Sequence, residues 1–163
     1  MDKSQKNILW FEETTKKDVP IVGGKNASLG EMYSELSKKG INIPNGFALT
    51  AHAYRHYIEY NKIDKRLKEI FTNFDAKNID RLQAAGKESR KLIMTSDFPK
   101  DLKEEILASY KKLSLYYKQK DVDVAARSSA TAEDLPSASF AGAHETFLNI
   151  RGGEDVLLAV KKC

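Results

Sequence analysis

The apolar residues of this chain change their spacing after Lys120, and this change limits the folds that the chain can adopt. From about residue 50 to residue 120 they recur every three or four positions, which is typical of amphipathic α-helices. The later segments DVDVAAR and ETFLNI alternate between apolar and polar residues and predict two β-strands. Strands are also predicted at NILWFEE, at Val19 to Val22 and, interrupted by a turn, at INIPNGFAL. The sequence therefore predicts an α+β fold with a helical insert at about residues 50–120.

Local signals predict where several helices begin and end. A helix is predicted from Ala27 to Lys39, because Gly40 suits the left-handed position that follows a helix. Thr50 is a predicted N-cap, and Pro99 is the predicted first residue of the last helix in the insert. Two stripes predict the buried faces of the long helices: Ile79, Leu82, Gly86 and Ile93 for one, and Leu102, Ile106, Tyr110, Leu113 and Tyr117 for the other.

Length, charge and cysteine content exclude several classes of protein. Residues 1–163 are expected to form one domain or part of a larger one, with no membrane span and no secretory signal at the N-terminus. The only cysteine is Cys163, which suits a reducing cytoplasm. The net charge of +4 comes from lysines interleaved with acids. A nucleic acid is therefore not an expected partner, whereas a small polyanion such as a nucleotide is compatible with this charge.

The first segment that suggests chemistry is VGGKNASLGEM, at the start of a predicted helix. Gly23 and Gly24 allow the backbone to approach a ligand closely, and Lys25 places a positive charge beside the helix N-terminus. Free N–H groups and the helix dipole attract anions to such a position. The spacing is not that of a P-loop. Phosphate binding and a tight turn with a solvent-facing lysine both remain open.

The second segment is the hydroxyl-rich stretch from Val124 to Ile150. Arg127 ends a predicted strand, and a guanidinium can bind two phosphate oxygens with parallel hydrogen bonds. The alternative is a surface Ω-loop whose serines satisfy their own backbone. The residues that could add donors or close backbone contacts to a phosphate are Ser128, Ser129, Gly142 and Thr146.

The sequence predicts no metal site within this chain. His52 and His56 have a spacing that could place them on one helix face, but no third ligand accompanies them. Glu133 and Asp134 could bind a magnesium ion, but acidic residues before a proline in a loop are more often turn or cap residues.

Three segments together carry a resemblance to a known family: VGGKNASLGEM, IPNGFALT and RSSATAEDLPSASFAG with the ETFLN that follows it. They resemble the N-terminal nucleotide-binding region of the phosphoenolpyruvate synthases (pyruvate, water dikinases). The same region occurs in pyruvate phosphate dikinase and in rifampicin phosphotransferase. The resemblance covers nearly the whole chain, is least specific in the helical middle, and favours the synthase over the rifampicin enzyme.

The resemblance implies an ATP-grasp fold, in which ATP lies between two lobes. In this family ATP phosphorylates a histidine on a swivelling domain, which carries the phosphoryl group to pyruvate in a barrel domain. The products are phosphoenolpyruvate, AMP and phosphate, and Mg²⁺ is required. Residues 1–163 would be the N-terminal portion of the ATP-binding domain. The second half of the ATP-grasp unit, the magnesium ligands, the phosphohistidine domain and the pyruvate-binding barrel are expected beyond Cys163.

Carried over position by position, the resemblance assigns Lys25 and Arg127 to the ATP phosphates. It assigns Gly142 and Thr146 to further contacts with ATP, and it places Ser128 and Ser129 within the same motif. The family usually reads AGQQETFLN, whereas this chain reads AGAHETFLN, so Ala143 and His144 replace two glutamines. His144 is not the expected phosphocarrier, because that histidine belongs to another domain.

Two alternative functions remain open on the sequence. One is a stand-alone, non-catalytic nucleotide-binding module derived from the same lobe. The other is a fragment of a rifampicin-type phosphotransferase, in which the phosphoryl acceptor is an antibiotic.

Overall fold

The computed structural model describes residues 2–72, 78–131 and 145–163 and shows helices packed around two small antiparallel sheets. The strands are β1 (Ile8–Trp10), β2 (Phe47–Leu49), β3 (Val124–Arg127) and β4 (Thr146–Ile150). The helices are α1 (Val19–Val22), α2 (Gly24–Leu36), α3 (Ala51–Tyr60), α4 (Asp64–Phe71), α5 (Ile79–Thr95), α6 (Lys100–Tyr116) and α7 (Gly153–Lys162). Short 3₁₀ turns lie at Lys3–Gln5, Phe11–Glu13, Lys16–Asp18 and Ser37–Lys39. The predicted α+β class is confirmed.

The first sheet joins β1 to β2 and leads directly into α3. Leu9, at the centre of β1, pairs with Ala48 and is fully buried. The Thr50 hydroxyl oxygen accepts a hydrogen bond from the Ala53 N–H at 3.2 Å and donates one to the Lys6 carbonyl oxygen at 2.6 Å. Thr50 is therefore the N-cap of α3, as predicted, and also ties this helix to the N-terminal segment.

The second sheet joins β3 to β4 and contains a β-bulge. Val124 pairs with Ile150 and Ala126 pairs with Phe147, so β4 has one residue more than β3 between these pairs. Asn149 takes up the extra length with a φ of 57°, in the left-handed region. Because of the bulge, Phe147 and Ile150 both lie on the half-buried side of the hairpin, although they are three residues apart.

Two clusters of buried side chains form the core. In the larger cluster, α6 and α7 pack with α3, and the half-buried Val124 and Ile150 attach the β3–β4 hairpin to it. The predicted stripe of α6 is buried from Leu102 to Leu113, but Tyr117 is exposed and its hydroxyl accepts a hydrogen bond from the Asn45 N–H. The smaller cluster anchors the start of α2 to the first sheet; its members are Leu9, Val22, Ala27 and Ala48.

The structure corrects several predictions about individual elements. Val19–Val22 is a helical turn rather than a strand, with Pro20 in its first turn and a hydrogen bond from the Gly23 N–H to the Val19 carbonyl oxygen. Residues 41–46 do not form a strand. Pro99 is the N-cap of α6 instead of its first residue, because its ψ of 139° is not helical. In α5, Ile79 and Leu82 are 67% and 47% exposed, so the predicted stripe is not buried there.

Gly40 has a φ of 77° and follows the 3₁₀ turn at Ser37–Lys39, which extends α2. The predicted glycine at the end of this helical segment is therefore confirmed. Within the part of the chain that the structure describes, no helix is long and apolar enough to cross a lipid bilayer.

Candidate functional site

Helix α2 begins at a glycine that no other residue could replace without strain. Gly23 is its N-cap, with a φ of 80° and a ψ of 163°, a backbone conformation that is nearly restricted to glycine. A Cβ atom at this position would lie 2.2 Å from the Ser129 Oγ and 2.8 Å from the Ser129 carbonyl carbon. The absence of a side chain at Gly23 therefore allows a distant segment to lie against the start of the helix.

That distant segment is 128–130, which directly follows β3 and crosses the N-terminus of α2. The Gly24 N–H donates to the Ala130 carbonyl oxygen at 3.3 Å, and the Asn26 N–H donates to the Ser129 Oγ at 3.4 Å. The first N–H groups of a helix have no partner within the helix, so segment 128–130 supplies acceptors that α2 lacks. Two segments about 100 residues apart are thereby brought together.

The side chain of Lys25 takes part in the same contact. Its ammonium group donates to the Ser128 carbonyl oxygen at 3.4 Å, and the side chain is partly buried. Ser128 directly follows Arg127, so the Lys25 ammonium group contacts the residue next to the other predicted cation in the sequence. The structure thus brings together the two segments that the sequence identified separately.

Ser128 also joins the end of β3 to the start of β4. Its N–H donates to the Glu145 carbonyl oxygen at 3.1 Å, and its Oγ accepts a hydrogen bond from the Glu145 N–H at 3.0 Å. In the adjacent pair of the sheet, Arg127 lies opposite Thr146, and both residues are exposed. Directly opposed residues in an antiparallel pair project from the same face, so Arg127 and Thr146 share the solvent-facing side of the hairpin.

Lys25, Arg127, Ser128, Ser129 and Thr146 therefore lie in one region, between the start of α2 and the end of the hairpin. Gly142, the remaining predicted site residue, lies outside the described residues, as do Glu133, Asp134, Ala143 and His144. The site combines two cationic side chains with hydroxyl groups, which is the chemistry that binds an anion such as phosphate. The Gly24 and Asn26 N–H groups at the start of α2 are occupied by segment 128–130 and do not add donors to it.

Two contributors to this region were not identified from the sequence. Asn26 donates from its side-chain amide to the Val22 carbonyl oxygen at 2.9 Å and so fastens the first turn of α2 to α1. Its place directly after Gly-Gly-Lys is the only local signal for this role. Among the described residues, Glu145 contributes to this region through its backbone N–H and carbonyl groups, which no side-chain pattern could have indicated.

The described residues do not supply a metal site. No group of three or more His, Cys, Asp or Glu side chains among residues 2–72, 78–131 and 145–163 could hold a metal ion. The Nε2 of His56 lies 3.0 Å from an Asp101 carboxylate oxygen, and this hydrogen bond is the main reason why the Asp101 pKa is below its usual value. At Cys163, burial raises the thiol pKa, which disfavours the reactive thiolate.

Comparison with known proteins identifies the family that this chain resembles. The family model for the pyruvate phosphate dikinase AMP/ATP-binding domain matches residues 19–163, a range that includes every predicted site residue. The phosphoenolpyruvate synthase of Aquifex aeolicus is 50% identical over 163 residues, which are 100% of this chain and 19% of that protein. The synthase of Synechocystis sp. is 48% identical over 160 residues, 96% of this chain and 20% of that protein.

The phosphoenolpyruvate synthase of Escherichia coli K12 is 43% identical over 154 residues, which cover 94% of this chain and 19% of that protein. The chain therefore spans about a fifth of the length of the curated relatives it matches. Along this fifth, the similarity covers nearly all of the chain.

Proposed function

Because the chain belongs to the pyruvate phosphate dikinase AMP/ATP-binding domain family, we propose that it forms the N-terminal part of the ATP-binding unit of a pyruvate, water dikinase. In this proposal residues 1–163 form one lobe of an ATP-grasp domain, with the helical insert at about residues 50–120. The complete enzyme converts pyruvate, ATP and water to phosphoenolpyruvate, AMP and phosphate through a phosphohistidine on another domain. It works in the cytoplasm, in keeping with the single cysteine.

The observation that supports this function most directly is the contact between Lys25 and the segment that follows Arg127. Phosphoryl transfer depends mainly on positioning the nucleotide and neutralising charge on its phosphate oxygens. Lys25 and Arg127 supply the positive charge at the nucleotide phosphates. Thr146 shares a face with Arg127 and adds a hydroxyl donor, while Gly142 allows the backbone to approach the nucleotide. Ser128 and Ser129 complete this part of the site by holding the start of α2 against the end of β3.

The magnesium ion that the complete enzyme requires takes its ligands from outside residues 1–163. The donor groups in the described part of the chain do not form a cluster that fits the ion. The remaining partners of this lobe are the second half of the ATP-binding unit, the phosphohistidine domain and the pyruvate-binding barrel.

Substitution of the two cations tests the proposal. In the full-length product of the gene, we expect Lys25→Ala or Arg127→Ala to reduce ATP-dependent formation of phosphoenolpyruvate at least about 100-fold, which corresponds to ~3 kcal/mol of transition-state stabilisation. The measurement is steady-state turnover, with circular dichroism to confirm that each variant folds. Lys38→Ala, at the other end of the same helical segment, and Arg55→Ala, on an exposed part of α3, are matched controls. Near-normal turnover in both site variants would contradict the assignment.

The product of the reaction separates this proposal from its alternatives. A rifampicin-type enzyme would phosphorylate the antibiotic in place of pyruvate, and a non-catalytic module would bind ATP without turnover. The three relatives described above are all phosphoenolpyruvate synthases, and their similarity favours the pyruvate reaction.

A further inference from the structure

We propose that Ser129 is a positioning residue, which aligns Lys25 with Arg127 by capping helix α2 from the opposite part of the chain. This inference rests on the proposed function, in which those two cations bind the nucleotide phosphates. It concerns a role that Ser129 performs through Lys25, without direct contact between the Ser129 hydroxyl and the nucleotide.

The hydrogen bond that Ser129 accepts is the one that an N-cap side chain usually accepts. In most helices the N-cap residue is Ser, Thr, Asp or Asn, and its side-chain oxygen accepts from the N–H of the second or third helical residue. The N-cap of α2 is Gly23, which has no side chain, and the third helical residue is Asn26. The Asn26 N–H donates to the Ser129 Oγ at 3.4 Å, so Ser129 takes over the function of the missing N-cap side chain.

Glycine at position 23 and serine at position 129 depend on each other sterically. A Cβ at Gly23 would overlap the Ser129 Oγ at 2.2 Å, so position 23 cannot carry a capping side chain while Ser129 occupies this place. The cap of α2 is thus formed by a residue 103 positions away from its donor. A cap within one short segment would fix only the helix, whereas this one also fixes the position of β3.

Lys25 lies between Gly24 and Asn26, whose backbone N–H groups both donate hydrogen bonds to segment 128–130. The N–H groups of its neighbours Gly24 and Asn26 donate to Ala130 and Ser129, and its own ammonium group donates to Ser128. These distances of 3.3–3.4 Å exceed the usual range of about 2.7–3.2 Å for N–H···O bonds, so each contact contributes only modestly to stability. Together they align the lysine backbone with the strand that ends in Arg127.

A double-mutant cycle on the full-length gene product separates positioning from direct binding. The dissociation constant for ATP is measured by calorimetry for wild type, Ser129→Ala, Lys25→Ala and the double variant. We expect Ser129→Ala to weaken ATP binding about threefold to tenfold, the equivalent of one hydrogen bond. In the Lys25→Ala background the same change should weaken binding less than about twofold, because the residue through which Ser129 acts is then absent.

Ser28→Ala is the matched control, because Ser28 lies on the same helix and is exposed. It should leave the dissociation constant and the melting temperature at the wild-type values. An equal loss of affinity from Ser129→Ala in both backgrounds would show that the hydroxyl contacts the nucleotide directly or supports the fold in general, and would overturn the proposal. Wild-type affinity in Ser129→Ala, with weakened binding in Lys25→Ala, would overturn the positioning role and leave the proposed function intact.

Hydrogen exchange gives a second test that needs neither ATP nor a folded Ser129→Ala variant. In the wild-type protein without nucleotide, we expect the Asn26 amide to exchange more slowly than the same amide does in the unfolded chain. Free exchange at Asn26 would show that the cap does not form, and would overturn the inference. If instead Lys25→Ala and Arg127→Ala leave ATP binding unchanged, the proposed function itself fails, whatever the exchange result.

Discussion

At the scale of single residues, the candidate site depends on the backbone conformation of Gly23 and on its lack of a side chain. Gly23 adopts a positive φ that other residues rarely adopt, and it leaves room for Ser129. Gly152, the N-cap of α7, has nearly the same backbone conformation, with a φ of 86° and a ψ of 150°. Nothing lies within 4 Å of a Cβ placed at Gly152. An alanine substitution at Gly152 would introduce backbone strain only, whereas one at Gly23 would also disturb the contact with Ser129. Comparing the two variants therefore distinguishes these effects.

We expect Gly152→Ala to lower the free energy of unfolding by about 1–3 kcal/mol, because it places alanine in a conformation that favours glycine. Gly23→Ala should lower it further, because the new Cβ would also overlap Ser129. Only Gly23→Ala should also weaken ATP binding, since the new Cβ displaces Ser129 and with it the alignment of Lys25. Urea unfolding and calorimetry with ATP measure the two quantities. Equal losses of ATP affinity in the two variants would mean that the contact with Ser129 is unimportant.

At the scale of elements, the bulge in β4 determines which side chains of the hairpin face solvent. It places Phe147 and Ile150 on the same, half-buried side and leaves Thr146 on the exposed face opposite Arg127. In a regular strand, residues 146 and 150 would lie on the same face, because side chains alternate with a period of two. The extra residue of the bulge allows Ile150 to pack on the core while Thr146 stays exposed opposite Arg127.

Substitutions at Asn149 test the bulge. Asn149→Gly should change the free energy of unfolding by less than about 0.5 kcal/mol, whereas Asn149→Val should lower it by about 1–2 kcal/mol, because a β-branched residue is strained at positive φ. Leu148→Val is the control, since Leu148 is 64% exposed and is not among the residues with positive φ. Thermal or urea unfolding measures the effect. Comparable losses in both valine variants would argue against a specific requirement at Asn149.

The helices and strands also show how much of the fold could be predicted from the sequence. Strands β3 and β4 follow from alternation, and the buried part of α6 follows from the helical spacing of its apolar residues. The four apolar residues of α1 were predicted as a strand, because a run this short fits either structure and tertiary packing decides. In α5, the spacing of the apolar residues identified an apolar face. It could not show which part of that face packs against a neighbouring element. Ile79 is therefore exposed although the pattern predicted burial.

The residues of the candidate site were more predictable than its geometry. Lys25 and Arg127 stand out because glycines or hydroxyls flank them in patterns that suit phosphate. The capping of α2 by Ser129 has no local signature, because a hydrogen bond between residues 103 positions apart depends on how the intervening helices pack. Gly23 gave the nearest hint, since a missing side chain at a helix start leaves an N–H group without its usual acceptor.

At the scale of the whole molecule, the site lies where two parts of the chain that pack into different core clusters meet. The start of α2 is held by the smaller cluster of Leu9, Val22, Ala27 and Ala48, whereas the β3–β4 hairpin is attached to the larger cluster. Each cation therefore has its own support, and segment 128–130 connects the two.

In the proposed enzyme, this connected pair forms only one side of the nucleotide cleft. We therefore expect residues 1–163 alone to bind ATP with a Kd of ~1 mM or weaker. Calorimetry with the isolated chain measures this value, and Arg127→Ala provides the baseline for non-specific binding. Micromolar affinity that depends on Arg127 would show that a single lobe is sufficient for binding.

The separation between Asn26 and Ser129 also has a consequence for how the site arises during folding. Closing a loop of this length costs conformational entropy that a few long hydrogen bonds cannot offset. The closure therefore depends on α3, α5 and α6, whose packing shortens the path between the two segments before they meet. We therefore expect the two cationic residues to be brought together only once these helices have packed.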